Sequence, residues 1–393
     1  MKKSIKIIKI TFCTLVIAVI SVIGLKTVLN NEKMSYKEGR KLKTFPKLTL
    51  KAIKKDTYFN DLTDAFADQL EYREEFIKYY YLLNMQRYVG GVVEGKDNVL
   101  FLSPLIVRNK EHYKEKLKQL SQNEISNIAK NVTKLGAKFI FLSIPRKDVV
   151  MNKYLPSTYI SGVEDYIESI DILKENVSKE VIVIDAYDIF KINNTYDVFY
   201  KTDHHLNIRG AYELFEELIK LINKDGYNIQ VKSLEEEYEI KSQVINGSYN
   251  RKIGQKINAG LEELTLVPKN NKVKYTRWDD SKLVNTPVFG TDNTYASAYM
   301  GKDVAETVIK TNIQDAPNIL YVGSSFTNIL EALSVYKFNT MVSVDYRHNT
   351  TGKSIEDYVK EYNIDYVVFM PSQQNNALSI TIMKEHLGLK RQK

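Results

Sequence analysis

Between Asn318 and Met370 the chain repeats one pattern: a short apolar run, an amphipathic stretch, then another apolar run. NILYVG (Asn318–Gly323), TMVSVDY (Thr340–Tyr346) and IDYVVFM (Ile364–Met370) read as strands, and TNILEALSVY (Thr327–Tyr336) and SIEDYVKEYN (Ser354–Asn363) as helices. Strands without a polar face must be covered on both sides, and strand–helix–strand alternation makes neighbouring strands parallel. A chain with this pattern is restricted to an α/β sheet sheathed by helices, with ligands beyond the carboxyl ends of its strands. Two earlier runs have the same character, AKFIFLSIP (Ala137–Pro145) and VIVIDAYDIF (Val181–Phe190). Strands are therefore expected at 137–145, 181–186, 318–323, 340–345 and 364–370, all in one mainly parallel sheet.

Other elements are marked more locally. Ser121 and Glu124 have the spacing of a capping box, Ile125, Ile128, Val132 and Leu135 make one apolar face behind them, and Gly136 ends the helix. From Tyr58 to Tyr88 an aromatic-rich helical pattern runs through Phe59, Leu62, Phe66, Leu70, Phe76, Tyr80 and Leu83. Gly90-Gly91 then turns into VVEGKDNVLFL, which reads as a hairpin or short strands. Residues 228–315 break the α/β rhythm with short alternating runs such as LTLVP and NKVKYTRW, and read as a β-rich insertion.

The N-terminus carries a different signal. Lys2, Lys3, Lys6 and Lys9 precede sixteen uncharged residues, Ile10–Leu25, and Lys26 closes the run. A spanning helix wants about 20 residues. Val28 and Leu29 extend the stretch, and Lys26 can snorkel to the interface. The positive flank stays in the cytoplasm. No A-x-A-like site follows, so the expectation is an uncleaved signal-anchor, with a cleaved signal peptide and a buried helix as alternatives. The organisation expected is a cytoplasmic tail and anchor helix over 1–30, a polar spacer over 31–57, and an α/β domain over 58–393 with its insertion at about 228–315. That is a single-pass protein of the cell membrane with its domain outside the cytoplasm. The net charge is +8, but the five lysines of the first thirty residues leave only +3 for the rest, so no nucleic-acid partner is expected. A lone cysteine, Cys13, excludes an intrachain disulfide and Cys-based zinc or iron–sulfur sites. An exported body without cysteine needs no oxidative folding, which suits a Gram-positive surface.

Of the five histidines, two adjoin in YKTDHHLNIRGAYELFEEL, directly behind Asp203. An amphipathic helix follows, with Ala211, Leu214, Leu218 and Leu221 on one face, so Asp203, His204 and His205 sit on the loop entering it. A nucleophilic hydroxyl needs a base, and the base needs a carboxylate to fix its tautomer and stabilise the imidazolium. Asp and His two residues apart can supply both. Asp203 can equally N-cap the helix, and a metal site built on these residues lacks a clear third ligand type elsewhere. A matching nucleophile stands in YVGSSFTNIL, where Ser324 and Ser325 occupy a strand-to-helix turn after Gly323. Such small residues also serve simply as helix caps.

Together these motifs bring a family into view. DHHL (Asp203–Leu206) followed by NIRGAY resembles the signature of the DHHW proteins, which are SGNH-hydrolase-like and related to the alginate O-acetylation proteins AlgJ and AlgX. In that family the D-x-H precedes a serine held in a G-D-S-F-type elbow, and here GSSF stands at Gly323–Phe326. The resemblance extends to IPRKDVVMNKYLP (Ile144–Pro156), YASAYMGKD (Tyr295–Asp303) and VDYRHN (Val344–Asn349), and spans roughly residues 60–372. It implies a three-layer α/β/α SGNH-like fold with Ser325 as nucleophile, His205 as base and Asp203 as the orienting carboxylate. Ser324, His204, Tyr346 and Arg347 become candidates for contacts to substrate or oxyanion, Arg347 having an ion pair with Asp345 as its alternative. Two departures stand out: Leu206 replaces the tryptophan of DHHW, and Ser324 replaces the aspartate of G-D-S-F. The implied activity is O-acyl transfer, most simply O-acetylation of a cell-surface polysaccharide, with no cofactor and no metal. A multispanning membrane protein that supplies acetyl groups is the implied partner. A carbohydrate esterase using the same residues, and an inactive polysaccharide-binding or export accessory, are the alternatives.

Overall fold

All five apolar runs become strands of a single sheet. The computed structural model describes residues 2–35, 40–49, 58–71, 73, 91–103, 110–157, 159–192, 196–255, 257–270, 272–349, 351–371, 380, 381 and 383. The chain divides into two units, residues 1–93 with 248–257 and residues 94–247 with 258–393. The sheet belongs to the second. After a short strand at Leu100–Leu102, that unit's strands are β1 (Lys138–Ser143), β2 (Val181–Asp185), β3 (Tyr238–Gln243), β4 (Glu262–Pro268), β5 (Tyr275–Asp279), β6 (Lys282–Val284), β7 (Glu306–Thr311), β8 (Asn318–Gly323), β9 (Thr340–Asp345) and β10 (Tyr366–Phe369). Eight of them form the main sheet in the order β6-β5-β7-β9-β8-β10-β1-β2. From β9 to β2 all neighbours are parallel, and β7, β5 and β6 continue the sheet antiparallel beyond β9. Residues 228–315 are thus only partly an excursion. Their later half supplies β5, β6 and β7 to the main sheet, while β3 and β4 form a separate antiparallel pair.

In the first unit, helix α1 (Lys2–Leu29) runs well past the apolar stretch at both ends, because lysine is a good helix former. Its segment Lys9–Leu29 has mean hydropathy 2.3 and is long and apolar enough to cross a membrane by length and composition. Helix α2 (Tyr58–Gln69) covers the start of the aromatic-rich pattern; the part of that pattern at 74–88 lies outside the described residues. Gln69 is buried and its amide is fully used: it donates to Glu32 O (2.7 Å) and Lys43 O (2.9 Å) and accepts from Glu32 N (3.0 Å). One satisfied polar side chain thereby ties the chain after α1 to the end of α2.

The second unit's main helices are α3 (Lys110–Leu120), α4 (Ser126–Lys134), α5 (Val163–Asn176), α6 (Ile208–Asn223), α7 (Asn328–Ser334) and α8 (Ile355–Tyr362). The capping box expected at Ser121 is not a helix start. KEHYKEKLKQL is already helical, and Ser121–Ile125 is a π-helical turn inside a longer helix, with Ser121 Oγ donating to Leu117 O (2.8 Å). Alternation sorts the strand side chains. Phe139, Phe141, Leu320, Val322, Val342, Val344, Val367 and Phe369 meet Ile128 and Val132 of α4, Leu173 of α5, and Ile355, Tyr358 and Val359 of α8. The residues between them, such as Ile140, Leu142, Ile319 and Tyr321, are buried too, and Tyr321 OH bonds Ser334 Oγ of α7 (2.7 Å) on the opposite face. Helices cover both faces, as apolar strands require.

Glu331 of α7 is buried, and Ser343 Oγ donates to its Oε1 (2.6 Å). Burial pushes its carboxyl from 4.5 up to about 7, against the opposing bonds from Ser343 and Thr327. The folded state therefore keeps a proton that the unfolded chain has released, so stability falls as pH rises from about 4.5 to about 7 and the penalty is complete above that. Glu331→Gln should stabilise the protein by up to about 3 kcal/mol at about pH 8 and change little at about pH 5. Thermal melts at the two pH values check this; an equal shift at both, or none, contradicts it.

Candidate active site

Parallel register aligns the carboxyl ends of the central strands, pairing Gly323 of β8 with Asp345 of β9 and Ser143 of β1 with Asp185 of β2. The elbow begins where β8 ends. A Cβ on Gly323 would lie 2.3 Å from Thr327 Cγ2, so a side chain here would push on the threonine that closes the turn. Thr327 N (2.9 Å) and Thr327 Oγ1 (2.8 Å) both donate to Ser324 O and close the turn into α7. The two serines then face different surroundings. Ser324 is only 4% exposed and its Oγ has no hydrogen-bond partner among the described residues. Ser325 is partly exposed and its Oγ lies 3.0 Å from His205 Nε2.

His205 arrives on a loop pinched at its base. Phe199 and Leu206 form an isolated antiparallel bridge, and Asn207 N donates to Val198 O (2.9 Å). Helix α6 is capped by Asn207, whose Oδ1 accepts from Gly210 N (3.0 Å), so the capping alternative for Asp203 does not hold. The carboxylate of Asp203 is turned inward instead. Its Oδ1 accepts from His204 N (2.6 Å) and His205 N (3.1 Å) and lies 2.7 Å from His205 Nδ1. A carboxylate at Nδ1 places the neutral ring's proton there and leaves Nε2 as the acceptor facing Ser325 Oγ. Asp203 and His205 are 2% and 6% exposed, which shields their bond from water. A Cβ at Gly247 would lie 2.2 Å from Thr202 O, so a glycine there lets a second chain segment press against this loop.

The ring of His205 is clamped on its faces. Tyr295 stacks on it with centroids 3.7 Å apart and planes 1° from parallel, His204 lies at 3.8 Å and Phe326 at 4.8 Å. His204 is the outer of the two histidines, about a quarter exposed. Nothing in the sequence singled out Tyr295, nor Lys147, whose ammonium reaches the same loop; their only signal was membership of the segments YASAYMGKD and IPRKDVVMNKYLP. Two further sequence candidates have other partners. Tyr346 is 1% exposed and packs into the core against Phe369, because a tyrosine directly after β9 still points under the sheet's helical cover. Arg347 forms the ion pair weighed as its alternative, with Nη2 on Asp303 Oδ2 (3.3 Å) and Nε on Asp345 Oδ1 (2.9 Å).

Asp203, His204 and His205 also offer three ligand atoms within 4.8 Å of one another. In this arrangement both His205 nitrogens and Asp203 Oδ1 are already committed to the bonds above. What the geometry can do is pass the Ser325 hydroxyl proton to Nε2 and hold the resulting imidazolium against a buried carboxylate.

Comparison with known proteins gives a consistent result. Residues 92–295 match the family model described as "SGNH hydrolase-like domain, acetyltransferase AlgX". The match includes Asp203 and His205 and stops before Ser325. Among solved structures, PatB1 of Bacillus cereus carrying a sulfonyl adduct is similar at 21% identity and TM-score 0.60, over 75% of this chain and 97% of that one. A DHHW family protein of Eubacterium siraeum is similar at 18% identity and TM-score 0.57, over 77% of this chain and 98% of that one. The O-acetyltransferase domain of Pseudomonas putida AlgJ aligns at 15% identity and TM-score 0.45, over 75% of this chain and 99% of that one. No curated protein matches the sequence. The two higher-scoring likenesses establish the fold, and the family model spans more than half of the 393 residues. The chain therefore belongs to the SGNH hydrolase-like domain family of the acetyltransferase AlgX.

Proposed function

We propose that this chain is a membrane-anchored, extracytoplasmic O-acyltransferase, in its simplest form an O-acetyltransferase, that modifies a cell-surface polysaccharide. The observation that carries the reading is the unbroken line Ser325 Oγ–His205 Nε2 and His205 Nδ1–Asp203 Oδ1, at 3.0 and 2.7 Å. A decayed site would have no need to keep it. Membership of an AlgX-type family, which implies a function related to polysaccharide acetylation, supports the substrate class.

The chemistry follows from the geometry. Ser325 Oγ attacks the acyl carbonyl as its proton moves to His205 Nε2. The imidazolium, held by Asp203, protonates the departing group, leaving an ester on Ser325. A sugar hydroxyl then gives its proton to Nε2 and attacks that ester, and the proton returns to Ser325 as the acyl group leaves on the sugar. An esterase differs only in accepting water at this second step, so water exclusion decides between the two. The partner in this reading is a multispanning membrane protein that supplies acetyl groups, and α1 as the anchor would keep the chain at the same membrane.

Full-length protein purified from membranes should transfer acetyl from an activated ester to an added surface oligosaccharide faster than it releases acetate. Release of acetate at the same rate with and without the sugar would favour the esterase. Recovery of the body in the soluble secreted fraction, trimmed after α1, would replace the anchor by a cleaved signal.

A further inference from the structure

The carboxyl end of β1 leads through Pro145 and Arg146 to Lys147, whose side chain is buried. Its ammonium donates to three backbone carbonyls, Tyr200 O (2.6 Å), Lys201 O (2.7 Å) and Asp203 O (3.1 Å). An ammonium has three N–H bonds, and these three acceptors all belong to the segment that carries Asp203. The ring of Phe101 lies 5.5 Å from the same nitrogen. Burial pulls this lysine down to about 7, while Glu262, Asp203 and Asp197 press it upward. A buried cation is costly, and an apolar side chain of similar length would avoid that cost but take this donor from the carbonyls of Tyr200 and Asp203. The segment has other ties to the fold: Leu100 N donates to Lys201 O (2.8 Å) and Lys201 N to Glu262 Oε1 (2.7 Å).

We propose that Lys147 is a positioning residue for acyl transfer: by gathering the carbonyls of Tyr200, Lys201 and Asp203 around one ammonium, it fixes where the Asp203 carboxylate stands and, through it, the direction of His205. This rests on the reading of Ser325, His205 and Asp203 as the acyl-transfer residues. The ammonium acts through Asp203, so its effect should vanish when the Asp203 carboxylate is gone.

The test measures the rate of covalent acetylation of the full-length chain by an activated acetyl ester, together with its thermal melt. Lys147→Met should slow labelling about 100-fold while keeping a cooperative melt, and Lys147→Gln, with two N–H donors left, should fall between it and the wild type. In an Asp203→Asn background the same Lys147→Met change should cost no more than about threefold. Labelling at the wild-type rate in Lys147→Met, or an undiminished loss in the Asp203→Asn background, overturns the proposal. If Lys147→Met fails to fold, Lys147→Gln carries both comparisons, and loss of folding in both variants makes Lys147 a stability residue only. Failure of the underlying reading is separately visible, as a wild-type chain that takes no label on Ser325.

Discussion

Ser325→Ala is expected to lower acyl transfer to a sugar acceptor by at least about 10⁴-fold, and His205→Ala to do nearly the same. Both expectations follow from the single contact that joins them, 3.0 Å between Oγ and Nε2. Among the described residues, Ser325 Oγ is the hydroxyl within hydrogen-bond distance of His205 Nε2. Ser324 is the obvious rival by sequence, but its side chain is buried, whereas Ser325 is the serine that meets the base. Ser324→Ala should accordingly cost less than about tenfold. If Ser325 and His205 act as one unit, as proposed, the double variant should be hardly slower than either single one. Rates for the four proteins, measured with the same ester and sugar, check the pattern; multiplicative losses would mean that the two residues act separately.

Asp203→Asn should cost about 10³- to 10⁴-fold, yet leave more activity than Ser325→Ala. Asp203 Oδ1 is the one oxygen that meets His204 N, His205 N and His205 Nδ1, so turning an amide N–H to Nδ1 gives up the two backbone bonds and should lower the melting temperature while leaving the melt cooperative. For catalysis, what changes is the partner of Nδ1. An amide N–H turned towards that nitrogen stabilises the tautomer protonated on Nε2, and that ring cannot accept the serine proton. A variant that still folds cooperatively and is slow across the whole accessible pH range meets this expectation. One that regains the wild-type rate at alkaline pH would point to a simple charge effect instead.

The parts that were legible in the sequence are those whose information is local. β8 occupies the expected residues 318–323 because its side chains are buried on both faces and Gly323 stops it. VIVIDAYDIF was less readable. The strand ends at Asp185, which accepts from Tyr187 N (3.1 Å) as the chain turns into a helix at Ala186–Ile192, and an apolar run alone does not mark that change. β5 was marked by the alternating run NKVKYTRW, but its place in the main sheet was not legible because it is not an apolar run: Arg277 and Asp279 are buried as a pair within it. At the site, Asp203 and His205 are two residues apart, so their pairing was readable, whereas the meeting with Ser325 spans 120 residues and depends on strand order. Tyr295 is one of 27 tyrosines and Lys147 one of many lysines, and only the folded chain puts one on the imidazole ring and the other under the Asp203 loop. Tyr346 lies beside a residue of the site region in sequence but inside the core in space, since one residue reverses which way a side chain points at the end of a strand.

The most direct measurement is to incubate the full-length protein with an activated acetyl ester, digest it, and locate the acetyl group by peptide mass analysis. The account predicts one acetyl on Ser325, in the peptide that holds Gly323–Phe326, discharged when a sugar acceptor is added and absent from Ser325→Ala. An acetyl on Ser324 would move the nucleophile by one residue. No label on either serine, with unchanged polysaccharide acetylation in cells carrying Ser325→Ala, would contradict catalysis at this site altogether.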